Sequence, residues 1–111
     1  MLDTEVISYM KRFHHGESQA AHSRKLEKAF GIRSRELRDV VSRLRVKGIP
    51  ICSSDYGYFF AADEEELNRT IRQLTSRISK IAQARSGLIY ARSLYSDDGQ
   101  ICLALEGGDN T

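Results

Sequence analysis

Apolar positions recur along this chain first at helical spacing, then in alternation, then at helical spacing again, and each change marks an element. Val6, Ile7, Met10 and Phe13 form the stripe of a first helix, with Asp3 or Thr4 as its cap and His14, His15 and Gly16 as its break. Leu26, Ala29 and Phe30 predict a short second helix with its inward side at those positions, after Ser23, a residue type suited to an N-cap, and before Gly31. Leu37, Val40, Val41 and Leu44 follow i, i+3, i+4, i+7 and predict a third helix over about 34–47. Ile49 to Cys52 and Tyr58 to Phe60 then read as two short strands, joined by Ser54, Asp55, Tyr56 and Gly57.

The last stretch has a different rhythm. Asp63 and Glu66 have the spacing of a capping box at the start of a fourth helix. Leu67, Ile71, Leu74, Ile78, Ile81 and Leu88 recur at alternating steps of four and three, with Arg85 in the one polar place. That is a heptad seam, narrower than a globular core needs, and it favours self-association through a parallel or antiparallel helix pair over a long helix folding back on its own domain. Further on, Ile101, Leu103 and Leu105 alternate as a terminal strand would. The expected fold is therefore mainly α with a small β-hairpin: residues 1–62 as one domain, 63–95 as a long dimerisation helix, and 96–111 as a turn, a short strand and a frayed tail.

Charge sharpens this picture more than composition does. At 41% hydrophobic and 29% charged, 111 residues suit one soluble globular domain, and the net charge is only +2. Its distribution is uneven, however: nine basic residues face three acidic ones over 24–47, and five basic residues face none over 67–88. On the third helix, Arg35, Arg38, Ser42 and Arg45 fall together on a face turned away from the apolar stripe. A concentrated basic face of this kind attracts phosphate even on a nearly neutral protein.

Other chemistry is weakly marked. Cys52 and Cys102 lack the spacing of a zinc site and read as two small buried hydrophobes. His14, His15 and His22 read as solvent-exposed loop residues, so no metal and no cofactor is expected. No nucleophile–base pair, paired carboxylate or phosphate loop stands out, which argues against an enzyme. No apolar run has the length of a membrane span, and the start of the chain lacks the regions of a secretory signal, so the expected compartment is the cytoplasm.

Residues 31–58 resemble the winged helix-turn-helix domains of bacterial and phage regulators, and in particular the DNA-binding domain of the biotin repressor. The matching skeleton is Gly31-Ile32, Leu37, Val41, Leu44-Arg45, Gly48-Ile49, Ile51 and Gly57-Tyr58. Arg33 stands where that family usually has Ser or Thr, which moves the start of the third helix to Ser34. The resemblance implies a fold and a mode of DNA contact, not a biotin-linked role.

The function this implies is double-stranded DNA binding by a dimeric transcriptional regulator. Arg35, Arg38 and Ser42 are the candidates for base edges, since arginine can donate two hydrogen bonds to guanine in the major groove. Arg24, Lys25, Arg33, Arg45 and Lys47 are the candidates for phosphate, which sets orientation without reading sequence. Ser53, Ser54 and Tyr56 of the hairpin offer neutral hydrogen bonds at most, because its tip carries no Lys or Arg. The competing expectation is a protein-interaction winged helix, for example a phage replication or assembly adaptor, in which the same arginines meet an acidic partner.

Overall fold

In the computed structural model, which describes residues 1–95, four α-helices and one hairpin follow in the expected order: α1 (Leu2–Phe13), α2 (Ser23–Phe30), α3 (Ser34–Val46), β1 (Ile51–Ser54), β2 (Gly57–Phe60) and α4 (Glu64–Ala91). Single 3-10 turns lie at Glu17–Gln19 and Arg92–Leu94. The chain divides into two compact units, Met1–Gln73 and Leu74–Thr111, and the division falls inside α4. The terminal strand expected at Ile101, Leu103 and Leu105, and Cys102, lie outside the described residues.

The core of the first unit is built from the stripes. Val6 and Met10 of α1, Leu26 of α2, and Leu37, Val40, Val41 and Leu44 of α3 are buried, together with Ala21, Ile51, Cys52 and Phe59. Burying a leucine as completely as Leu37 or Leu44 contributes about 1.5–3 kcal/mol, so these stripes fix how the three helices pack. Tyr9 ties α1 to α2, its ring edge-on to Phe30 with centroids 5.0 Å apart.

Gly31 makes the corner between α2 and α3. It sits in the left-handed region (φ 66°, ψ 37°), and its amide returns to the Glu27 carbonyl. Such a cap ends α2 and turns the chain so that α3 leaves in a new direction. At the start of α3, the Arg33 amide donates to Glu36 Oε1 at 3.1 Å, which satisfies one orphan donor of the first turn.

The hairpin pairs Ile51 with Phe60 and Ser54 with Gly57 around a two-residue loop. Gly57 is required there twice over: its φ is +119°, and a Cβ would overlap the Ala21 carbonyl and come within 2.7 Å of the His22 amide. That close approach lets Ala21 act as a third, single-residue strand. Its amide donates to Tyr58 O at 2.9 Å, and its carbonyl accepts from Tyr58 N at 2.8 Å.

At the start of α4, Asp63 Oδ1 accepts from the Glu66 amide at 2.9 Å, as a capping box requires. Glu66 does not close the box on Asp63. Its two oxygens accept instead from the amides of Ala62 (2.8 Å) and Glu17 (3.0 Å), so one carboxylate joins the helix start to the segment after α1.

Several local expectations are corrected. Neither Asp3 nor Thr4 caps α1, which begins at Leu2 with Met1 as its N-cap, because Asp3 is held by cations of α3. Ser23 is the first residue of α2 rather than its cap, and His22 takes the cap position. Ala29 is exposed, and Phe13 is half-exposed against Tyr9. His14 is not a surface loop residue: it is buried, and its Nδ1 donates to the Gln19 carbonyl at 2.8 Å, which offsets part of the cost of burying an imidazole. No described helix is long and apolar enough to cross a membrane.

Candidate nucleic-acid interface

The side of α3 opposite Leu37, Val40, Val41 and Leu44 carries Arg35, Asp39, Ser42 and Val46, with Arg38 beside them, and all five are exposed. Neither Arg35 nor Arg38 is in an ion pair among the described residues. The three base-edge candidates thus lie within two turns of one helix, with their polar ends toward solvent.

The expected phosphate group separates into two sets. Arg24 and Lys25, in the first turn of α2, and Arg33, at the corner, are exposed and outside the ion pairs of the described residues. Arg45 and Lys47 are engaged. Arg45 is half-buried and turned back on the hairpin, where its Nε donates to the Ile51 carbonyl at 2.8 Å and an Nη to Ser53 Oγ at 3.1 Å. It therefore departs from the outward face that helical spacing gives it, and it fixes the angle between α3 and β1. Lys47 Nζ lies 3.5 Å from Asp3 Oδ2.

Sequence reading missed the strongest ion pair of this helix. Arg43 makes two hydrogen bonds to Asp3, 2.7 Å to Oδ1 and 3.3 Å to Oδ2. The Arg43 guanidinium, with Lys47 behind it, holds the Asp3 carboxyl below its ordinary value. Reciprocally, Asp3 raises Arg43. The only sequence signal was an acid in the first turn of α1 and a base in the last turns of α3.

In the hairpin, Ser53 and Ser54 spend their hydroxyls internally: Ser53 Oγ accepts from Arg45, and Ser54 Oγ accepts from the Tyr56 amide at 3.1 Å to close the turn. Tyr56 is exposed. Cys52 is buried beneath them, and burial pushes its thiol up, so it behaves as a small apolar group.

Along α4, Arg69 is paired with Glu17 at 2.9 Å and Arg72 with Glu65 at 3.4 Å. Of the seam, Leu67 and Leu74 are half-buried. Ile71 is 49% exposed, Ile78 and Ile81 are each 67% exposed, and Leu88 is 73% exposed. Four large aliphatic side chains on one helix stripe thus face solvent. Among the described residues no group of His, Cys, Asp and Glu has a metal-binding arrangement.

Comparison with protein-family models, with curated proteins and with solved structures finds no match to this chain.

Proposed function

We propose that this protein binds double-stranded DNA as a dimeric transcriptional regulator of the winged helix-turn-helix kind, with α3 in the major groove. The observation that carries the reading is the face of α3. Arg35, Arg38 and Ser42 are exposed within two turns and outside the ion pairs of the described residues, while the opposite stripe is anchored in the core. Arginines in that position can reach guanine O6 and N7. Arg24, Lys25 and Arg33 lie on the neighbouring turn and helix start, where they suit phosphates. Arg45, turned onto the hairpin, acts as a positioning residue, and the hairpin itself adds little electrostatic grip.

The test is retention of duplex DNA at low and moderate salt by the full chain, compared with Arg35→Ala and Arg38→Ala. Each substitution is expected to weaken binding by about 1–3 kcal/mol, which is roughly tenfold per 1.4 kcal/mol. Unchanged retention with an unchanged salt slope in both variants would overturn the assignment.

A second reading rests on Val46, which shares the exposed face with Arg35 and Ser42. An apolar side chain 86% exposed suits a protein surface. On that reading α3 docks on an acidic protein partner, as in a replication or assembly adaptor, and the arginine variants leave duplex binding unaffected.

A further inference from the structure

We infer that α4 pairs with α4 of a second copy in the antiparallel sense; this rests on the dimeric reading above and gives it a geometry. The exposed stripe is the first observation. Ile71, Ile78, Ile81 and Leu88 are half to three-quarters exposed in the single chain, at the spacing of a coiled-coil seam.

Charge order along the helix selects the occupant and its direction. All the acidic residues of α4 lie in its first turn, Glu64, Glu65 and Glu66. From there to Arg92 every charged residue is basic: Arg69, Arg72, Arg77, Lys80, Arg85 and Arg92. A parallel pair in register sets acid against acid and base against base along its whole length. It also places Arg85 directly against its own copy inside the seam, since like heptad positions face each other in a parallel pair. Arg92, in the 3-10 turn that follows α4, lies seven residues later and adds like charge at the same end.

Reversing one helix removes the Arg85 self-contact and relieves the like-charge contact at the two ends of the pair. The acidic start of each copy then lies toward the basic end of the other. In the register that sets all eight seam positions against one another, Ile78 faces Ile81 of the second copy, Ile71 faces Leu88, Leu74 faces Arg85, and Leu67 faces Arg92. Arg85 lays its aliphatic stem along a leucine and carries its guanidinium to the edge of the pair. Arg92 comes within one turn of Glu64 of the second copy. The flanking positions Ala82 and Ala84 are small and exposed, and leave room for the helices to approach.

The test leaves the seam intact. In the full chain carrying Cys102→Ser, so that buried Cys52 is the one remaining native thiol, Ser93→Cys is spin-labelled and the distance between copies is measured by pulsed dipolar spectroscopy, with sedimentation equilibrium alongside. In the antiparallel register the two labels are separated along the axis by about 40 Å, at a rise of 1.5 Å per residue. A dimer with labels closer than about 20 Å would be parallel, and would overturn the inference while leaving the dimer standing. A wild-type chain that stays monomeric at high micromolar concentration would overturn both the inference and the dimer, leaving the DNA-contact assignment of α3 to its own test.

Discussion

Asp3 holds two cations at once, Arg43 of α3 at 2.7 Å and Lys47 just past its end at 3.5 Å, and so fastens the start of α1 to the far end of the helix proposed to meet DNA. The hydrogen bond from Arg43 lowers its pKa below the ordinary 3.8. Because the folded value is the depressed one, the stabilisation is complete above the unfolded value and is lost as pH falls through the folded value. Wild type and Asp3→Asn should therefore differ in melting temperature by a small, constant amount from neutral pH down to about 5, as exposed ion pairs are weak. Below about pH 4 the two curves should converge. A difference that persists undiminished at pH 2 would mean that Asp3 acts through packing or through its amide rather than through its charge. The same contacts engage Arg43 and Lys47, so the arginines of α3 that are exposed and outside the ion pairs of the described residues are Arg35 and Arg38, the two proposed for base edges.

At the scale of elements, the hairpin depends on what borders it. In an antiparallel ladder, alternate pairs turn their amides and carbonyls outward. For the pair Ser53 and Tyr58, the Tyr58 groups are met by Ala21 and the Ser53 groups by Thr70 of α4, whose Oγ1 lies 3.3 Å from the Ser53 amide and 3.4 Å from its carbonyl. Thr70 is buried, so Thr70→Val keeps the shape and leaves both Ser53 groups unmet, at a cost of about 1–3 kcal/mol. The urea midpoint should fall accordingly, and Thr70→Ser should recover most of the loss; a Val variant as stable as wild type would show that β1 does not need this edge. Thr70 also illustrates what a sequence conveys and what it withholds. The stripes of α1 and α3, the hairpin with Gly57, and the cap at Asp63 were legible because each is set by neighbours within one or two turns. Thr70, His14, Asp3 and Arg45 were not, because their environments are set by partners on other elements: the β1 edge, the Gln19 carbonyl, Arg43, and Ile51 with Ser53. The exposed face of α3 was readable as the complement of a buried stripe. Which of its cations stay available was decided by contacts that no local pattern carries.

For the whole molecule, the exposed seam and the basic face of α3 make one joint claim about DNA. If two copies bind together, the second recognition helix docks at an effective concentration set by the first, and affinity exceeds that of one copy by roughly 10²–10⁴. The salt dependence separates this from a simple loss of grip, since the slope of log affinity against log salt counts the phosphates neutralised, at about 0.9 per contact. Ile78→Gln with Ile81→Gln adds no charge and changes side chains that are 67% exposed in the single chain, so helix content and the unfolding of residues 1–73 should be unchanged. The variant should sediment as a monomer, bind duplex at least tenfold more weakly, and show about half the wild-type salt slope. Weaker binding with a full slope would mean that the two isoleucines affect DNA contact directly. Unchanged affinity and slope in a monomeric variant would mean that one copy suffices, and that the seam serves some purpose other than DNA recognition.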